Sequence, residues 1–363
     1  MKGERAVLVG PDVLTARDIS SLALRRPVDR GYVVAWDVQR DIWARALRAL
    51  LPAGLSPASA ALLLTEPYFN LPALREAALQ VAFDDLGFAA VALAPPAALA
   101  LRWHAARRPG LAACGAGCGL VVDAGFSFTH AVPVFDWRVV AAGVRRVDLG
   151  GKALTNYMKE LVSYRSMNMA GEAYLLDHIK EALCFVSQDP AADLAAARRR
   201  DAPHRAEWLL PDGVTSTWGA RRAPGEPRGP KDPVLAVNNE RFMVPEALFH
   251  PADIGMDEAG LAEAVAAAVA ACHPHLHGLL WSNVVVAGGT AACPGFRDRL
   301  EAELRPLVPD DYELGVFLAE EPALAAWRGG AALAAAPEFA AAAVTREEWV
   351  RRGAAAACAR WDA

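Results

Sequence analysis

Residues 121–130 read Val-Val-Asp-Ala-Gly-Phe-Ser-Phe-Thr-His. Two β-branched residues ahead of Asp123 read as the end of a buried strand, and Gly125 permits a turn that a side chain would obstruct. Such a turn can aim peptide N–H groups at a phosphate, with Asp123 holding a metal-bound water. An ordinary hairpin accounts for the same residues. A second strand-then-glycine unit follows much later, Val284-Val-Val-Ala-Gly-Gly-Thr290. Gly288, Gly289 and Thr290 precede a helical stretch at 296–304, where a nucleoside or phosphate would meet a helix N-terminus. A strand–helix turn without ligand is the alternative. Lys180-Glu181 lies mid-helix by its spacing, able to hydrogen-bond a ribose or purine edge or to stand as a solvated surface pair.

Other chemistry-bearing groups are less organised. Cys272-His-Pro-His-Leu-His277 has the content of a metal cluster, but Pro274 and the i, i+2 spacing lack the separated ligand pairs of structural zinc. The segment reads as a helix–strand connector with exposed histidines. Cys114 and Cys118 have no second pair, so no metal site is assigned. Ser127 and His130 flank the glycine turn without a third group to activate a serine, so no catalytic residue is assigned. Arg198-Arg-Arg200, Arg205, Arg221-Arg222 and Arg228 form a local basic stretch, either a salt-sensitive contact to DNA phosphates or a solvated loop.

These groups need a scaffold, and 363 residues suffice for two cores. An apolar fraction of 54% with 22% charged residues describes a globular chain, and a net charge of −5 gives no general basic footprint for nucleic acid. Six cysteines without a disulfide framework fit a reducing compartment. The longest apolar run, 88–101, holds Pro95-Pro96 and is too short for a membrane span, so no membrane contact is expected.

Strand and helix patterns alternate through the first hundred residues, an α/β arrangement. Asp37 is placed to cap a helix over 38–51, and strands are expected at 60–65 and 89–93 around a helix at 71–83. Three antiparallel strands then run through 119–149, followed by helices at 153–164 and 171–186. From Asp189 to about Pro233 the Arg, Pro, Gly and Ala composition has no steady period and reads as a long loop or disordered insertion, with order returning at Asn238. A helix over 256–272, a strand at 282–286, and an alanine-rich helical tail from Trp327 complete the expectation.

Residues 121–130, 237–256 and 284–299 together resemble the actin fold. Supporting motifs are Trp36-Asp37…Ile42-Trp43, Leu64-Thr-Glu-Pro67, Leu209-Leu-Pro-Asp-Gly213, Asn239-Glu-Arg-Phe-Met-Val-Pro-Glu-Ala-Leu-Phe-His-Pro-Ala-Asp-Ile-Gly-Met256 and Trp327-Arg-Gly-Gly330. Within the actin family the chain is most similar to a nuclear actin-related branch. The tokens are Trp36-Asp-Val-Gln-Arg40, Thr65-Glu-Pro-Tyr-Phe-Asn70, Gly125-Phe-Ser-Phe-Thr-His-Ala-Val-Pro133, Gly150-Gly-Lys-Ala-Leu-Thr-Asn156 and Cys184-Phe-Val-Ser-Gln-Asp189.

The resemblance implies an α/β actin-like fold of two lobes, 1–119 with 327–363 and 120–326, around an ATP cleft. Asp123 and Gly125 would lie in the second phosphate loop, Lys180 and Glu181 near base and ribose, and Gly288, Gly289 and Thr290 near adenosine and phosphates. It further implies a subunit of a Swr-type remodeller that exchanges a variant histone into nucleosomes. Its partners there are a small zinc-finger protein and the remodeller ATPase, with nucleosome or DNA contact indirect or through the basic insertion, in the nucleus with a cytoplasmic pool. Deleting 191–232 is expected to leave a soluble fold and weaken partner association.

Four departures from the actin pattern stand out. The first Asp-x-Gly hairpin has no counterpart before Gly31, so the chain reads as starting after it. Phe126-Ser127 replace Asp-Gly in the turn. Ala94-Pro95 fall where actin has the glutamine that positions the attacking water. Ala292-Cys293 replace Met-Tyr beside the nucleotide. These departures imply a protein that does not hydrolyse ATP; the alternative readings are an ATPase of the actin, Hsp70 and sugar-kinase superfold and a filament-forming cytoskeletal actin.

Overall fold

The computed structural model describes residues 7–16, 22–108, 117–212, 216–223, 225–226, 229 and 233–361. It divides into two compact units, residues 1–99 with 327–363, and residues 100–326. The first boundary falls inside the helix Pro96–Arg107, twenty residues ahead of the expected 119. The reason lies in that helix's second half. The His104 ring lies 5.3 Å from that of Phe317, and Arg107 pairs with Glu320, both in the larger unit.

In the smaller unit, Ala61–Thr65 and Ala90–Ala94 pair in parallel, and Val344–Thr345 adds antiparallel to the latter. Leu79, Phe83, Phe88, Val91 and Trp349 form the core, with Phe83 stacked on Trp349 at 5.1 Å. The helix over Trp36–Leu50 begins two residues earlier than its spacing predicts. Asp37 therefore sits within the first turn, where its charge favours the helix N-terminus, and is not the cap. The helix Pro72–Gln80 runs into a π turn, Val81–Asp85, explaining why its helical period extends to Phe83. Before Val28 the described residues contribute a 3₁₀ turn, Gly10–Thr15, and no strand.

The larger unit holds a six-stranded sheet. Its order runs Val316–Leu318, Val284–Ala287, Gly119–Ala124, Thr129–Phe135, Arg138–Val139, with Arg145–Val147 also on Thr129–Phe135. Val284–Ala287 is buried along its whole length between two parallel neighbours, which its unbroken apolar run reflects. Helices Gly151–Arg165, Ala173–Leu183 and Leu261–Ala270 supply much of the core around Met158, Leu176, Ile179 and Val265. The last of these starts at Leu261 and not at Met256, because Gly255 is left-handed (φ 77°) and Gly260 forms the N-cap.

The expected loop at 189–233 is built structure. Asp189 caps the helix Pro190–Ala197 by accepting from the Ala192 N–H, and Ala206–Leu209 is the middle strand of a sheet with Ala220–Arg221 and Val234–Val237. Order thus returns at Val234, ahead of Asn238. Ala206 and Trp208 are buried in the main core, and the Trp208 Nε1 donates to the Trp218 carbonyl at 3.0 Å. Composition hid this sheet because its strands are only two to four residues long, too short to show a period. Parts of the segment, residues 213–215, 224, 227–228 and 230–232 with Arg228 among them, lie outside the described residues. Among the described residues no helix is long and apolar enough to cross a membrane.

Candidate functional site

Three distant segments of the larger unit meet at the glycine turn. Asp123 lies on the central strand, opposite His130 on one neighbour and Ala287 on the other. The turn 125–128 is closed by the Gly125 N–H donating to the Phe128 carbonyl at 3.0 Å. The start of the helix Gly151–Arg165 presses on it from the side. The Gly151 N–H donates to the Gly125 carbonyl at 3.0 Å and the Lys152 N–H to the Phe126 carbonyl at 2.8 Å. Gly150 is required there, since a Cβ would lie 2.7 Å from the Phe126 oxygen and 2.8 Å from that of Gly125.

The second glycine unit closes the other side. Gly288 has φ +93°, and a Cβ would stand 2.2 Å from the Ala124 oxygen. Only a backbone without a side chain passes so close to the strand end. Gly289 opens the 3₁₀ turn Gly289–Ala292, and the Thr290 hydroxyl donates to the Gly125 carbonyl at 2.8 Å. Both lone pairs of that carbonyl are therefore used, one by Gly151 and one by Thr290.

Lys180 is a buried clamp and not the solvated pair that its position beside Glu181 allows. Its ammonium donates to the Gly151 carbonyl at 3.0 Å, the Thr155 hydroxyl at 2.8 Å and the Asp177 carboxylate at 2.8 Å. Three donors meet three protein acceptors, leaving none for a ribose or base. Glu181 is exposed, yet surrounding protein first and the Asp177 carboxylate second hold its carboxyl above the usual range. Cys293, beyond Thr290, is pushed up to about 12 by burial, and burial also raises Cys184. Both remain neutral thiols.

The turn keeps some donors in reserve. Among the described residues, the Ser127 and Phe128 N–H groups and the Ser127 hydroxyl carry no protein acceptor. They fit a phosphate oxygen, as do the N–H groups of Gly289 and Thr290, which open their 3₁₀ turn. The Phe126 side chain, 42% exposed, occupies the turn's tip without charge. His130 is lowered to about 4 by burial and then by Arg146, so it is a neutral ring at physiological pH. The sequence reading brought together Asp123, Gly125, Gly288, Gly289 and Thr290, which the structure does juxtapose. It missed Gly150, Gly151, Thr155 and Asp177 as their supports. A double glycine directly before a helix was the available signal.

Elsewhere, the 272–277 segment is a helix N-terminus and not a connector: His273 caps Pro274–Ser282 and its ring stacks on His275 at 5.0 Å. Cys114 lies outside the described residues, and burial pushes Cys118 up to about 11. Of the basic stretch, Arg198, Arg199 and Arg200 are exposed at the end of their helix, whereas Arg222 pairs with Glu207.

Residues 2–361 match the actin family profile from near end to end. The chain belongs to the actin family. Among its relatives in that family, a rice protein (Oryza sativa subsp. indica) named actin-related protein 6 is 45% identical over 93% of this chain and 85% of its own length. Actin-related protein 6 of Arabidopsis thaliana is 41% identical over the same shares. That of Drosophila melanogaster is 35% identical over 96% of this chain and 88% of its own length. The expected α/β actin-like fold and the resemblance to an actin-related branch both hold. In actin-family terms, the juxtaposed turn, helix start and Gly288–Thr290 lie within one unit of the fold, supported by Lys180 from within.

Proposed function

We propose that the chain is a non-catalytic, actin-related scaffold subunit of a nuclear chromatin-remodelling assembly that exchanges a variant histone into nucleosomes. Kinship with proteins named actin-related protein 6 supports the assignment. The observation that carries the non-catalytic part is the glycine turn. Its framework carbonyls and the Lys180 ammonium are saturated by internal bonds, and Phe126 presents an uncharged ring at its tip. The actin-type acid is replaced at the tip by Phe126, so the turn presents backbone donors and an apolar ring where a charged group would stand.

ATP fits this reading as a structural ligand. On this unit its phosphate oxygens would be met by the Ser127 and Phe128 N–H groups, with no turnover step assigned. The partners are a small zinc-finger protein and the remodeller ATPase, with Arg198–Arg200 available to DNA phosphates. The test is phosphate release by the purified chain, wild type beside Asp123→Ala. A rate at background in both supports the proposal. Release above background that Asp123→Ala abolishes would assign an ATPase instead.

A further inference from the structure

The larger unit carries a groove of about 540 Å³ lined by none of the glycine-turn residues. Its apolar lining comes from two stretches. One is Phe249, Pro251 and Ala252, in the turn that leads toward the helix Leu261–Ala270. The other is Ala302, Pro306 and Leu307, at the end of the helix Phe296–Leu304 and in the 3₁₀ turn after it. Leu307 is 43% exposed.

The charge of the groove has one dominant sign. Glu258, Glu263 and Glu303 line it, and His250 is the one basic side chain among the described lining residues. Each carboxylate spends one oxygen on the fold. Glu258 Oε2 accepts from the Asp148 N–H at 2.9 Å, Glu263 Oε2 from the Gly260 N–H at 3.1 Å, and Glu303 Oε1 from Arg299 Nε at 2.5 Å. The second oxygen of each has no protein donor among the described residues. Arg299 does not balance them. Its guanidinium lies 5.1 Å from the Phe249 ring centre and spends two bonds on buried Glu246, at 2.7 and 3.0 Å. Glu246, Glu258, Glu263 and Glu303 against Arg299 leave three negative charges, with His250 3.6 and 3.8 Å from Glu246 and Glu303. From Pro251 to Glu263 the sequence adds Asp253 and Asp257 and contains no lysine, arginine or histidine.

We propose that this groove receives the stem and cationic head of a lysine or arginine from a basic segment of a partner polypeptide. The charges select that occupant. An uncharged side chain over the groove would strip water from the spare carboxylate oxygens and return no bond, and an acidic one would meet repulsion. A cationic head replaces that water with charge-assisted bonds, while the alanine, proline and leucine lining takes the methylene stem. The complementarity belongs to the isolated chain, so it stands apart from the remodelling assignment.

The test uses the full purified chain and a fluorescein-labelled Gly-Ala-Lys-Ala-Lys-Ala-Gly peptide, with binding read by anisotropy. The same peptide with both lysines acetylated is expected to bind about tenfold more weakly or worse. Glu258→Gln combined with Glu263→Gln should weaken binding about fivefold or more. Each glutamine keeps the oxygen that accepts from its backbone N–H, so the fold is retained. Ala302→Leu, which fills the groove from an exposed helix position, should weaken binding as much. Glu338→Gln combined with Glu347→Gln, exposed acids of the smaller unit, should leave it unchanged. Benzoylphenylalanine at position 307 should cross-link the peptide, and at position 50, exposed on the other unit, should not. Absent binding, equal binding of the acetylated peptide, or undiminished binding by Ala302→Leu overturns the proposal. So does an equal loss in both double variants, which would mean diffuse attraction to an acidic protein. A cross-link from position 307 back to this chain would also overturn it, making the groove's occupant the chain itself.

Discussion

Gly288 and Lys180 carry more structural consequence than their chemistry suggests. Gly288→Ala places a Cβ 2.2 Å from the Ala124 oxygen at a φ of +93°, so a loss above about 2 kcal/mol is expected, read as a fall in denaturation midpoint. Lys180→Met removes the counter-charge of Asp177, whose carboxylate keeps the Thr155 hydroxyl at 2.6 Å, and takes one donor from the Gly151 carbonyl. It should cost about 2–3 kcal/mol, and Lys180→Arg should not rescue it, because a planar guanidinium cannot reach three converging acceptors. His104 and His130 make a pH prediction. Burial lowers both to about 4, so the unfolded chain binds protons that the folded chain refuses between about pH 6.5 and 4. Their contribution is complete above pH 6.5 and lost as pH falls through 4. Calorimetry should show stability declining across that window by on the order of 1–3 kcal/mol per histidine, and a shallower decline in His104→Phe. Asp123, Gly125 and Gly288 were legible in sequence because strand and glycine stand side by side. Lys180 was not, since nothing in a helical Lys-Glu pair reveals that the lysine points inward to a carbonyl twenty-nine residues earlier.

Among the elements, the segment from 189 to 233 changes meaning most. Its sheet buries Trp208 against the main core, so Trp208→Ala should cost about 3–5 kcal/mol. Removing 191–232 would delete that strand and its tryptophan, and the shortened chain is expected to aggregate or melt early, contrary to the expectation from composition. A soluble deletion variant with a cooperative thermal transition at the wild-type midpoint would show that the sheet is dispensable. Long regular elements were readable from periodicity, and Phe296–Leu304 matches its expected limits. Short strands such as Ala220–Arg221 were not, because two residues leave no period and their pairing is fixed by distant partners. The connection between Glu246 and Arg299 was equally hidden. Their bonds at 2.7 and 3.0 Å are buried, and nothing local links positions fifty-three residues apart.

For the whole molecule, family membership was legible because ordered motifs recur along almost the full length, and some of them, at Gly150, Gly288 and Gly329, mark places where backbone approaches backbone. The proposed function rests on where those motifs depart from the actin pattern. A turn stiffened from within, with Phe126 at its tip, fits a subunit whose value is shape. The decisive comparison is exchange of variant histone into nucleosomes by the native remodelling assembly depleted of this chain and then supplied with wild type or Asp123→Ala. Exchange should collapse on depletion and recover equally with either chain. Recovery with wild type but not with an incorporated, folded Asp123→Ala would contradict a non-catalytic scaffold, and undiminished exchange on depletion would remove the chain from that process.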